Sequence, residues 1–168
     1  MLQNEEFIPS FVEEARSHVE NLEAGLLGLD MDRIDPEEIN GLFRAVHSIK
    51  GTAGFFNLSK VVELSHQMEN ILGECRSGTL SISSEMVDIL LSSNDCLKSM
   101  IEDIMNSEDT DISSHKKALD SILEGGTAGG HAGNEKNGGG STPVVDDSGQ
   151  SVVLEDSAKQ AVARGMEQ

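Results

Sequence analysis

A chain of 168 residues can bury one sizeable core, and its 30 acidic residues against 12 basic, a net charge of −18, exclude nucleic-acid backbones and anionic membrane surfaces as partners. Only two cysteines occur, Cys75 and Cys96, both at apolar helix-like positions, which excludes a disulfide framework and suits reduced thiols in a cytoplasm. The amino terminus is acidic, with no export signal or anchor visible, and no apolar run approaches the roughly 18 residues of a membrane span.

With neither Trp nor Tyr, the core must be filled by Leu, Ile, Val, Met and five Phe, as is usual for a helical bundle. From Glu5 to Leu29 the residues Ile8, Phe11, Ala15, Leu22, Leu26 and Leu29 recur at three- and four-residue steps, which predicts a first amphipathic helix. His18 falls beside that stripe and reads as an edge-of-core histidine without function. Asp30, Asp32 and Asp35 crowd the following connection, but the central glycine and distal glutamate of an EF-hand are missing. Asp35 instead suits the cap of a second helix with Pro36 in its first turn.

The second helix, Pro36 to Phe55, carries the most informative stretch. Ile39, Leu42, Val46, Ile49, Ala53 and Phe56 form an apolar stripe, while Phe43, His47, Lys50, Gly51 and Gly54 line an adjacent face. Each interior glycine costs a helix about 1 kcal/mol relative to alanine, so both require a reason. Close approach by a partner is one, and tight helix packing is the structural alternative. A third helix is expected from Ser59 as N-cap to Ser77, burying Val61, Leu64, Met68, Ile71, Leu72 and Cys75, with Gly78 as the stop signal. The connection between these two helices is very short, so they must run antiparallel. Residues equidistant from the turn then face each other, which sets both His66 and Glu69 opposite His47.

Ser83 or Ser84, with Glu85 and Asp88 in the first turn, opens a fourth helix that runs through Met86, Leu90, Leu97, Met100, Ile101 and Ile104 to Met105. A shorter fifth helix, Ser113 to Leu123, offers Leu119, Ile122 and Leu123 and is expected to pack against the fourth. The expected fold is all-α, an antiparallel up-and-down four-helix bundle with a short fifth helix over residues 1–124. Residues 125–168 read as a glycine-rich flexible linker or disordered tail. Its glycines lack the flanking strand and helix of a phosphate-binding loop.

An imidazole titrates near about 6.5, so at neutral pH one ring nitrogen is largely free as a nucleophile. A carboxylate bonded to the other nitrogen fixes the tautomer and supports positive charge on the ring. Glu69 is placed for that role, and Lys50, one turn from His47, for meeting incoming phosphoryl oxygens. The string His47-Ser-Ile-Lys50-Gly51-Thr-Ala-Gly54-Phe-Phe, followed by His66-Gln-Met-Glu69-Asn, resembles the histidine phosphotransfer (HPt) domain at the N-terminus of chemotaxis histidine kinases of the CheA type. The resemblance implies that His47 accepts phosphate from the ATP-binding domain of a kinase and passes it to an aspartate of chemotaxis response regulators. It further implies Lys50, His66 and Glu69 as the surrounding polar network and Gly51 as the opening beside the ring. From the helix face itself, Gly51, Gly54 and Phe43 are expected to form the surface where partners dock. Family members continue into regulator-binding, dimerisation, ATP-binding and coupling domains. This sequence ends in the glycine-rich tail, which leaves open a fragment or a separate small carrier.

No nucleotide pocket is visible, so the chain is expected to bind no cofactor; ATP and Mg would serve the partner kinase domain. The domain is expected to be monomeric. Two other readings compete. Two histidines and a carboxylate could bind iron or zinc, although the Lys50 ammonium opposes a nearby metal cation. A structural bundle without chemistry is the third, and acid-labile phosphate on His47 separates it from phosphotransfer.

Overall fold

The computed structural model describes residues 4–132, with side chains through residue 125. After a 3-10 turn at Glu5–Phe7, five α-helices follow: α1 Ile8–Leu27, α2 Pro36–Phe55, α3 Ser59–Arg76, α4 Ser84–Glu102 and α5 Ser113–Ala132. Among the described residues there is no strand. α1 packs on α2, α2 on α3, α3 on α4 and α4 back on α1, so the first four helices close a ring around one core. The all-α four-helix bundle expected from the sequence is the fold observed.

The core follows the apolar periodicity. Phe11, Ala15, Leu22 and Leu26 of α1 meet Leu42, Val46, Ile49 and Ala53 of α2, Leu64, Met68, Ile71 and Leu72 of α3, and Leu90, Leu97, Met100 and Ile101 of α4, all buried. Val19 also lies in the α1 stripe, though the sequence reading passed over it. Phe11 and Phe56 join the two ends of the chain's first half, with ring centres 5.0 Å apart. Burial of about twenty such side chains, each contributing about 1.5–3 kcal/mol, is what holds α2 and α3 in fixed register.

Helix boundaries are set by local chemistry. Asp35 caps α2 through the Glu37 amide at 2.9 Å, and Glu38 reaches back to the Asp35 amide, completing a capping box with Pro36 in the first turn. α2 ends with Asn57 in the left-handed region (φ 57°), where Asn57 N donates to Gly54 O and Leu58 N to Ala53 O. This Schellman turn reverses the chain within a few residues and makes α2 and α3 neighbours.

Boundaries of four helices depart from expectation. α1 starts at Ile8 because Pro9 lacks an amide and is tolerated only in a first turn, and it ends at Leu27 rather than Leu29. The N-cap of α3 is Leu58 and not Ser59; Leu58 is fully buried, and the Lys60 amide is satisfied from a distance by Glu108. α4 stops at Glu102 instead of Met105. Asp103 leaves helical geometry, its carboxylate takes both bonds from the Asn106 amide, and Ile104–Asp109 tighten into a 3-10 helix that buries Ile104. α5 continues past Leu123 to Ala132, since no proline interrupts it and a nucleated helix propagates even through glycine. The remainder of the expected tail, residues 133–168, lies outside the described residues.

α5 meets α3 as well as the expected α4. Lys116 pairs with Glu63 and Gln67 donates to Asp120 at 2.9 Å, so its polar attachments are to α3. Ile122 faces the start of α4, lining a cavity with Met86 and Ile89. The Asp111 carboxylate accepts from the Ser113 amide at 2.9 Å and caps this helix.

Candidate functional site

The site forms where α2 and α3 run side by side beyond their tight turn. His47 projects from α2 with its side chain 60% exposed, and its Nδ1 lies 3.2 Å from Oε2 of Glu69 on α3. Lys50, one turn further along α2, places Nζ 3.0 Å from Oε1 and 2.9 Å from Oε2 of the same carboxylate. Glu69 is only 13% exposed, so its orientation is held from both sides while the imidazole remains open to solvent.

A carboxylate only accepts, so the nitrogen facing Glu69 is the donor. Nδ1 therefore carries the hydrogen and Nε2 keeps its lone pair. That is a tautomer fixed by one carboxylate, with the nucleophilic nitrogen on the exposed imidazole ring.

Phe43, one turn before His47, stacks on the imidazole with ring centres 6.0 Å apart and planes 12° from parallel. A side-chain carbon at Gly73 of α3 would stand 3.5 Å from the Phe43 ring, an ordinary contact, so the ring lies over α3 at this glycine. Arg76, in the last turn of α3, lays its guanidinium carbon 3.8 Å from the centre of the Phe43 ring. The sequence reading named neither Gly73 nor Arg76. Counting outward from the α2–α3 turn would have found Gly73, since the symmetry that pairs His47 with Glu69 also sets Gly73 opposite Phe43, and Arg76 follows one turn further along α3.

Gly51 and Gly54 are exposed, and a side-chain carbon built on either meets nothing within 4 Å. Helix packing therefore does not account for them. They leave the helix surface beside His47 bare. His66 is exposed on α3 and forms no hydrogen bond or ion pair with His47 or Glu69, so the structure joins His47, Lys50, Glu69 and Phe43 and leaves His66 outside the bonded set.

Other reactive groups are muted or engaged. Burial pushes the Cys75 thiol up to about 11 and raises that of Cys96, which keeps both protonated and unreactive. His18 pairs with Glu14 on α1 at 3.6 Å. Among the described residues no group of three or more His, Cys, Asp or Glu side chains is placed to hold a metal ion. The carboxylate that a metal would require is held by Lys50. No helix among the described residues is long and apolar enough to cross a membrane.

A four-helix bundle presenting one exposed histidine, oriented by a carboxylate from the neighbouring helix, defines the class of histidine phosphotransfer domains. The family model for the Hpt domain matches residues 6–107, and the chain belongs to that family. Its relatives include the chemotaxis protein CheA of Salmonella typhimurium, 32% identical over 119 residues that cover 71% of this chain and 18% of that protein. CheA of Borreliella burgdorferi is 34% identical over 100 residues, covering 60% of this chain and 12% of that protein. The chain thus spans less than a fifth of the length of these relatives.

Among solved structures, the phosphorylated P1 domain of CheA3 in complex with CheY6 from R. sphaeroides superposes with a TM-score of 0.62 at 25% identity. That match covers 73% of this chain and 97% of the domain. The histidine phosphotransfer domain of CheA, solved in solution, matches with a TM-score of 0.57 at 33% identity, covering 72% of this chain and 92% of that one.

Proposed function

We propose that this chain is a phosphocarrier module of chemotaxis two-component signalling, with His47 as the residue that bears the phosphoryl group. The carrying observation is the 3.2 Å contact between Nδ1 of His47 and Glu69, which leaves Nε2 of an exposed imidazole as the nucleophile. The likeness to a P1 domain solved phosphorylated and bound to CheY6 supports a response regulator as the receiving partner.

In this reading a kinase catalytic domain, using ATP and Mg, supplies the phosphoryl group. The Nε2 lone pair attacks the γ-phosphorus as the bond to ADP breaks, and ADP leaves with that electron pair. Glu69 supports the positive charge that develops on the ring, and Lys50 holds Glu69 in place. The bare surface at Gly51 and Gly54, with Phe43 beside it, leaves room for kinase and regulator to approach. The reverse chemistry then delivers the group to a regulator aspartate. His66, on the same side of α3 as Glu69, belongs in this reading to the surface met by partners. The module works as a monomer in the cytoplasm, and the enzyme activity belongs to the kinase domain rather than to this bundle.

The test is to incubate the chain with a CheA-type kinase domain, Mg and labelled ATP. Acid-labile, base-stable phosphate confined to the His47 peptide is expected. Labelling elsewhere, or none, defeats the assignment.

A further inference from the structure

Phosphoryl transfer to a histidine needs a cation to meet the incoming dianion, and, together with Arg44 three residues before His47, Lys50 three residues after it is the nearest in sequence. Its ammonium, however, is already bonded to both oxygens of Glu69, at 2.9 and 3.0 Å, so its charge is compensated inside the network. Arg76 stands differently. Its guanidinium lies 3.8 Å from the centre of the Phe43 ring, and that ring stands 6.0 Å from the imidazole. Together these distances bound the guanidinium carbon to within about 10 Å of the His47 ring, roughly one Debye length at 0.1 M salt. Arg76 is exposed and forms no salt bridge with any carboxylate among the described residues. In a chain of net charge −18, a guanidinium without an acidic partner, parked on an aromatic face beside the nucleophile, is a charge held in reserve.

Resting on the phosphoacceptor reading of His47, we propose that Arg76 is the phosphoryl-binding cation of this site. Its guanidinium leaves the Phe43 face and donates N–H bonds to the phosphoryl oxygens carried on Nε2. A guanidinium fork matches phosphate oxygens two at a time, and such charge-assisted bonds are stronger than an exposed contact with an aromatic face. The Phe43 ring lies over α3 at Gly73, one turn before Arg76, so ring and guanidinium meet on the side of the bundle that carries the imidazole. The transfer itself balances without Arg76. The Nε2 lone pair forms the N–P bond, the leaving group departs with the electrons of the bond it gives up, and the Nδ1 proton stays between the ring and Glu69.

Phosphoramidate, a small donor that phosphorylates imidazole directly with ammonia as the leaving group, tests this on the full chain without a kinase. The unmodified protein, Arg76→Gln, Arg76→Lys and Arg44→Gln are compared, Arg44 being an exposed arginine one turn before His47. Labelling rate and the pH titration of the phosphorus-31 resonance are read, with circular dichroism as the folding control. Arg76→Gln is expected to slow labelling by about five- to fifty-fold. It should also raise the protonation midpoint of the phosphoryl group by about half a unit, because the dianion has lost its cation. Arg76→Lys should recover part of both effects, and Arg44→Gln should stay within about twofold of the unmodified protein. A phosphorus titration of Arg76→Gln that coincides with the unmodified one overturns the proposal while leaving His47 as acceptor. Absence of label on His47 in the unmodified chain overturns both.

Discussion

Replacing Glu69 with Gln removes one charge and almost no volume, yet the geometry predicts a large kinetic effect. One carboxylate oxygen accepts from Lys50 alone, while the other serves both Lys50 and His47. An amide has only one acceptor oxygen. If that oxygen stays with Lys50, the amide N–H points at Nδ1 of His47, the ring proton moves to Nε2, and the nucleophilic lone pair faces the wrong way. If the oxygen turns to His47, the amide N–H meets the Lys50 ammonium, donor against donor. Either arrangement loses the charge that supports a cationic ring. A fall of about 100- to 10,000-fold in phosphorylation rate is expected, the range seen when a residue that holds a histidine tautomer is neutralised. Stability should change little, since a partly exposed ion pair is worth about 1 kcal/mol, or about 3–6 °C in Tm for a domain of this size. The assay is labelled phosphate incorporation at saturating kinase, paired with nitrogen-15 spectra that report which ring nitrogen carries the hydrogen. An unchanged rate with the hydrogen still on Nδ1 would refute the reasoning about the carboxylate.

Other perturbations bear on separate parts of the account. Gly51→Ala should raise Tm by several degrees, because alanine gains about 1 kcal/mol in a helix and its side chain meets nothing, while transfer to a regulator slows as the bare surface fills. Gly25→Ala should show no such rise in Tm, since its side chain would stand 2.7 Å from Leu42 Cδ2, an overpacking of about 1–3 kcal/mol that offsets the same helix gain. Acid should loosen α5 before the bundle. Hydrogen bonds from Lys116 to Glu63 and from Ser113 to Asp111 hold both carboxyls below their ordinary values, so their support is complete above about pH 4.5 and is lost as pH falls through the lowered folded values. Amide exchange in α5 that rises on acidification at a higher pH than exchange in α2 and α3 would agree; uniform exchange would not.

Much of this was legible because helix periodicity and turn length are local properties. The stripe through Leu42, Val46 and Ile49 fixes which face of α2 is buried, and that leaves His47 outside. The short turn then sets Glu69 opposite, without any knowledge of side-chain packing. What escaped depends on contacts between distant residues. Asn94 is fully enclosed on α4, donating to the backbone oxygen of Val19 at 2.9 Å, and its side-chain oxygen has no partner. Nothing near it in sequence announces that role. The cap of α3 was misread for a similar reason, because the donor it needed is met by Glu108 from beyond α4. His66 has the spacing of a network member, but the bonds to His47 and Lys50 go to Glu69.

The central claim is that one imidazole among five histidines carries the phosphoryl group, and it is tested most directly by substitution at that position. The chain and its His47→Gln, His18→Gln, His66→Gln and His115→Gln variants are incubated with a CheA-type kinase domain and labelled ATP, with circular dichroism confirming the bundle. Acid-labile label is predicted to vanish from His47→Gln and to persist in the other three. Undiminished labelling of the folded His47 variant would contradict the account.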